Sequence, residues 1–158
     1  MHDLEAILEQ AKKHCTIAVN GIHGVSHWQR VRENGIRVAE VSGANQDVVE
    51  LFAYLHDCCR MNDWLDPRHG PRAADYAETL RGSMIHLADD DFALLYEAIH
   101  DHTSGHHHED VTIGTCWDAD RLDIGRVGRR PSRKYLSTKA AKDEDVMTWA
   151  YQRSLAAR

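Results

Sequence analysis

The sequence predicts an all-α fold, a bundle of about six or seven helices, and three observations carry that prediction. Apolar residues recur at three- and four-residue spacing along most of the chain. No alternating apolar and polar run of strand length interrupts them. Capping and breaking residues stand between the apolar stripes, where helices would start and stop.

Leu4, Ile7, Leu8 and Ala11 mark a first helix from about Asp3 to Ala18, closed by Asn20-Gly21. Ser26 can cap a second helix through Trp28, Val31 and Val38 that ends at Gly43, with Gly35 a weak point inside it. Asn45 can cap a third, striped by Val48, Leu51, Phe52 and Leu55 and ending near Cys59. A polar loop is expected from Met61 to Pro71, because Pro67, Gly70 and Pro71 break helices. Ala73, Ala74, Ala77 and Leu80 suggest a fourth helix. The acidic run Asp89-Asp90-Asp91 suits the positive start of a fifth, continued by Leu94, Leu95, Ala98 and Ile99. A loop rich in Gly and His is expected over Ser104 to Gly114, then a short sixth helix from Trp117 to Ile124. Gly125 to Ser132 reads as basic and irregular, and a last helix starts at Ser137 or Thr138, over about 137–156. The core is expected to take Leu51, Phe52, Leu55, Leu94, Leu95 and Ile99.

Hydrophobic residues make up 42% and charged residues 28% of the 158, enough apolar material for one core, so a single domain over 1–158 is expected. The net charge of -6 argues against DNA binding, which calls for a basic surface. No CxxC pair occurs among Cys15, Cys58, Cys59 and Cys116, so a zinc knuckle is not expected and buried thiols are. No apolar run approaches the ~20 residues of a membrane helix, and His2, Asp3 and Glu5 break any leader-like stretch. A reduced, cytoplasmic protein is the expectation. Neither a G-x-S-x-G elbow nor a glycine-rich phosphate loop is present, which argues against those acyl- and phosphoryl-transfer classes.

The unusual feature is 12 histidines, the commonest metal-ligand type. His106-His107-His108 is too local to point at one ion and reads as a flexible loop. The pair His56-Asp57 is more telling, because it follows the third apolar stripe. Neighbours on a helix point about 100° apart, so both reach one ion only near a helix end or in a pocket. Upstream lies His23-Gly24-Val25-Ser26-His27-Trp28-Gln29-Arg30-Val31; downstream lies Asp118-Ala119-Asp120-Arg121-Leu122-Asp123.

In these segments the chain resembles the HD superfamily of metal-dependent phosphohydrolases. The family's signature is a His, a later His-Asp pair and a distant Asp, in that order along an all-helical chain. His27 with Arg30 and Val31 matches the H-x-x-R-V segment, His56 and Asp57 match the pair, and Asp120 matches the Asp of A-D-R-L. The resemblance covers roughly residues 20–130, leaving the last helix outside the metal-site core. It implies an HD-domain helical bundle, His27, His56, Asp57 and Asp120 as ligands, and hydrolysis of a nucleotide or other phosphate ester by a metal-activated water. Two imidazoles and two carboxylates suit Mn, Fe, Co, Ni or Zn better than a thiolate-seeking ion, with Mg left open as well, and leave positions for water and substrate. Family members with two metals carry two more histidines between the pair and the last Asp. His69 and His102 match, with His100 a competitor to His102, and Asp57 would bridge ions about 3.5–4 Å apart. One or two divalent ions per chain are therefore expected.

Around this set, Arg60 can clamp a phosphate, Asp63 can act as a general base, and His23 can contact substrate or support a ligand. Arg121 is a further substrate contact, or else a partner of Asp118 or Asp123. Arg126, Arg129, Arg130, Arg133 and Lys134 form a basic stretch that either receives a phosphate or lies solvated on the surface. The expected partner is a small phosphorylated molecule. The alternatives are a di-iron oxygenase, which the six-ligand set would also permit, and a metal- or nucleotide-binding module without turnover.

Overall fold

The computed structural model describes residues 2–156. Among them are seven α-helices: α1 Leu4–His14, α2 Val25–Ser42, α3 Gln46–Leu55, α4 His69–Leu80, α5 Asp89–Asp101, α6 Val111–Arg121 and α7 Glu144–Leu155. Two 3-10 turns, Ile124–Val127 and Arg133–Tyr135, lie between α6 and α7. There is no strand among the described residues, only one isolated bridge between Arg81 and Ile85. The all-α reading holds.

α3 is the hub, packing on α1, α2, α4, α5 and α6. Its stripe is fully buried at Leu51, Phe52 and Leu55, and faces Leu95 and Ile99 of α5. Leu94, expected in the core, is only partly buried and packs at its margin. A second apolar cluster, Val38, Leu122, Leu136, Ala140, Ala141 and Ala150, seats α7 and the segment before it.

Local chemistry sets the helix bounds. Asn45 Oδ1 accepts from the Asp47 and Val48 amides, and Gly43 closes α2 at φ 81°, a value that favours glycine. α2 starts after Gly24, two residues earlier than a Ser26 cap would place it, and runs through Gly35 unbroken. α1 stops at His14; the Thr16-Ile17-Ala18-Val19 stretch leaves the helix, and Thr16 Oγ1 donates to the Arg60 carbonyl at 3.1 Å. The Met61–Pro71 loop is shorter than expected, because α4 already includes His69, Gly70 and Pro71. A proline in a first turn gives up no helical bond, since those N–H groups have no partner anyway.

α6 departs most from expectation. It begins at Val111, capped by Asp110 Oδ1, which accepts from the Thr112 and Ile113 amides at 2.8 and 3.0 Å. The expected sixth helix at Trp117–Ile124 is thus its second half plus a 3-10 turn. Every residue from Thr112 to Ala119 is buried, so the helix carries no apolar stripe to read. α7 likewise starts at Glu144 with Asp143 as its cap, later than Ser137 or Thr138; those two instead donate to the buried Asp118 carboxylate.

Candidate metal centre

Six buried or nearly buried side chains from five helices converge at one end of α3. His27 comes from the first turn of α2. His56 and Asp57 occupy the turn just after α3, where two adjacent residues can aim at one point. His69 is the first residue of α4, His102 caps the end of α5, and Asp120 lies in the last turn of α6.

They form two adjoining groups that share Asp57. His27 Nε2 lies 3.2 Å from His56 Nε2, 3.4 Å from Asp57 Oδ2 and 3.2 Å from Asp120 Oδ1. His56 Nε2 lies 3.5 and 3.6 Å from the same two oxygens. On the other side, Asp57 Oδ1 lies 3.2 Å from His69 Nε2 and 3.5 Å from His102 Nε2, and those nitrogens are 2.9 Å apart. Atoms bound to one ion at about 2.0–2.3 Å stand roughly 3.0–3.6 Å from one another, so His27, His56 and Asp57 on one side and Asp57, His69 and His102 on the other have the spacing of a ligand shell, with Asp120 beside the first two histidines.

Proton placement strengthens the case. Each histidine directs Nδ1 away from the centre: His27 to Asp123 Oδ2 at 2.7 Å, His56 to the Phe52 and Ala53 carbonyls, His69 to the Asp66 carbonyl and His102 to the Ile99 carbonyl. A ring that donates from Nδ1 keeps its lone pair on Nε2. With all four rings neutral, the centre gathers four acceptor nitrogens and three carboxylate oxygens. A cation satisfies that arrangement, and buried acceptors left without one are costly.

The electrostatics say the same. Burial and Arg126 push His27 down, but Asp120, Asp123 and Asp57 outweigh them and raise it from 6.5 to about 9. Burial pushes Asp57 up, yet His56, His102, His27 and His69 hold it well below the usual carboxylate range. Asp120 is lowered too, against its burial, by His27 and His56. In the metal-free protein a proton on His27 is thus the cation among the carboxylates.

The surroundings divide the remaining expected residues. Arg60 Nε donates to Asp57 Oδ1 at 3.2 Å. His23 Nδ1 donates to Asp63 Oδ1 at 2.8 Å, and the His23 ring stands edge-on to His27 with centroids 6.4 Å apart. Burial lowers His23, although Asp57 and Asp63 oppose it. His100 stays outside the centre, half-exposed and bonded to Asp101, so His102 is the histidine of α5 that joins it. Arg121 pairs with neither Asp118 nor Asp123; its guanidinium is bonded to the carbonyls of Gly105, His106 and Tyr135. The histidine run is held in place: His107 Nε2 donates to the Lys134 carbonyl, and His108 Nε2 lies 3.0 Å from Glu97. All four cysteines are free thiols, Cys58 and Cys116 buried, Cys15 and Cys59 partly so.

Three more side chains stand beside the centre; the sequence reading gave Asp123 and Thr103 no role there and took Arg126 only as part of the basic stretch. Asp123, fully buried, braces His27 and is itself gripped by Arg30, Nε to Oδ1 at 2.7 Å and Nη2 to Oδ2 at 3.1 Å. The signal was present as spacing, Arg30 three residues after His27 and Asp123 three after Asp120, one helical turn each. Arg126 reaches within 4.0 Å of Asp120 Oδ1. Thr103 Oγ1 lies 3.2 Å from His69 Nε2.

Fold and site together define an all-helical protein whose two adjoining buried His/Asp groups can each hold a metal ion. No family model, no curated protein and no solved structure matches the chain.

Proposed function

We propose that this chain is a metal-dependent phosphohydrolase of the HD type, acting on a nucleotide or other small phosphate ester. The observation that supports it best is the sharing of Asp57, with one carboxylate oxygen toward His27, His56 and Asp120 and the other toward His69 and His102. The residues fit divalent ions: nitrogen and oxygen ligands only, with lone pairs aimed inward. Such ions, when bound, supply Lewis acidity and a water of lowered pKa.

The chain's own residues do the rest. Asp120 is the ligand that faces outward, its side chain 18% exposed against 3% for Asp57, so substrate arrives past it. Arg126 and Arg60 place positive charge on either side of the carboxylates, where a phosphoryl group's oxygens would sit. In the reaction a water oxygen bonds to phosphorus, the ester P–O bond breaks, and the proton lost by water ends on the departing alcohol. The His23–Asp63 pair is suited to hold that proton at His23 Nε2, because Asp63 occupies Nδ1 and burial keeps the ring neutral near pH 7.

The test is a panel of phosphomonoesters and phosphodiesters, nucleotides included, assayed with Mn²⁺, Fe²⁺, Co²⁺, Ni²⁺, Zn²⁺ and Mg²⁺ in turn. Metal-dependent phosphate release, lost in Asp57→Ala, is expected. Turnover that instead needs iron and consumes oxygen would replace this reading by the oxygenase one. Metal binding with no turnover across the panel would leave a binding module.

A further inference from the structure

Beside the metal centre opens a cavity of about 420 Å³, within the size range of small-molecule sites. Thr103 lines it, and the Thr103 hydroxyl lies 3.2 Å from the inward nitrogen of His69. Ile124 gives it an apolar wall, and Arg121, Arg129, Arg130 and Tyr135 form much of the remainder. No Asp or Glu lines it, although the chain carries a net charge of -6.

The basic stretch divides sharply here. Arg126 donates to the Ile22 and Asp123 carbonyls, Arg133 to the Lys142 carbonyl and to Glu144, and the Lys134 ammonium lies over the Tyr135 ring. Arg121 is committed to three carbonyls. Among the described residues, neither Arg129 nor Arg130 forms an ion pair, and both line the cavity. Arg130 is steadied by the Tyr151 ring, 4.6 Å from its guanidinium carbon, which leaves the edge of the fork available. A committed Arg121 adds positive field without competing for a ligand's oxygens.

We propose that this cavity binds a second anionic group of the substrate, so that the substrate class is small molecules with two anionic groups, one the reacting phosphate and the other held by Arg129 and Arg130. This rests on the hydrolase reading for the first group. Two arginine forks on an anion, in a cavity free of acids, select for a charged tail over a neutral one.

The experiment compares α,ω-alkanediol bisphosphates of two to six carbons with alkyl monophosphates of the same lengths, using the metal-loaded full chain. A charge-assisted hydrogen bond contributes about 1.5–3 kcal/mol, so kcat/KM for the best bisphosphate should exceed its monophosphate by roughly 10- to 100-fold. In Arg129→Ser/Arg130→Ser that ratio should fall to near one, while Arg133→Ser, outside the cavity, keeps it. A ratio near one in the wild type, or one that survives the double substitution, overturns the proposal. If the wild type hydrolyses neither series, the hydrolase reading fails by itself, and the cavity is judged by calorimetric binding of the same bisphosphates. Binding weakened about tenfold or more by the double substitution upholds the anion site; absent or unchanged binding refutes it.

Discussion

Asp57 has one oxygen in each half of the centre, so its loss should be felt by both ions. In Asp57→Ala, metal content should fall below one ion per chain and turnover should be lost, while the helical circular dichroism signal persists because repulsion among buried ligands is relieved. Wild-type metal content in that variant would refute the shared-ligand reading. His27 sets the pH dependence. Its raised value, about 9, stabilises the metal-free fold fully below 6.5, and that contribution is lost as pH rises through 9. An ion must displace the same proton, so apparent affinity should climb about tenfold per pH unit up to about 9, with roughly one proton released. Titration calorimetry in two buffers checks this, and affinity flat between pH 6.5 and 9 would contradict it. Asp123→Asn should weaken metal binding about 10- to 100-fold, since it removes the carboxylate that fixes the His27 ring, and should leave Arg30 buried without its ion partner. Affinity within twofold of wild type would show that Asp123 only packs. Asp123 was hard to see in the sequence because an acid near another acid is ordinary; only the fold makes it the partner of a residue 96 positions away.

At the scale of elements, the ligands are placed by helix ends, and the contact between α4 and α5 matters most for His69 and His102. Gly70 sits where a Cβ would lie 2.6 Å from the His100 carbonyl oxygen and 2.9 Å from that of Ile99. Helix propensity alone would make alanine better here by about 1 kcal/mol. The clash is with backbone, which cannot swing aside, and overpacking of that kind costs about 1–3 kcal/mol. Gly70→Ala should therefore lower the melting temperature and shift metal content toward one ion per chain, because α4 and α5 part where His69 meets His102. Emission spectrometry with a thermal melt reads both, and a more stable variant with full metal content would show that the helices have room to move. The helices whose one face is buried were readable from their stripes and caps: α3 from Asn45 and Leu51-Phe52-Leu55, α2 up to Gly43. α6 was not, because burial on all sides erases the periodicity and because Val111-Thr112-Ile113-Gly114 are poor helix formers held by packing and the Asp110 cap. The start of α4 was hidden by Gly70 and Pro71, which read as loop residues but here stand in a first turn.

Over the whole molecule, the centre gathers five of the helices that the apolar core also packs together. Its ligands come from α2, the turn after α3, α4, the end of α5, and α6. Ions held by the two groups would together cross-link these five parts of the chain, and only the folded chain brings the six side chains together. Binding to the folded state alone stabilises by about 2.7 kcal/mol when free metal is at 100 times its dissociation constant. For a chain of this size each kcal/mol moves the midpoint by about 2–4 °C, so loading should raise the melting temperature by roughly 5–10 °C. Treatment with a chelator should remove that gain and added Mn²⁺ should restore it, with the effect larger at pH 8 than at pH 6.5, where the proton on His27 competes. Asp57→Ala should show neither the loss nor the rescue. The alternative physical picture is a protonated cluster, in which His27 carries the charge that the carboxylates need and no ion takes part. That cluster would melt at the same temperature with chelator or metal and would lose stability steadily as pH rises. Differential scanning calorimetry across this pair of conditions separates the two, because only a metal centre makes the molecule more stable on the alkaline side when an ion is supplied.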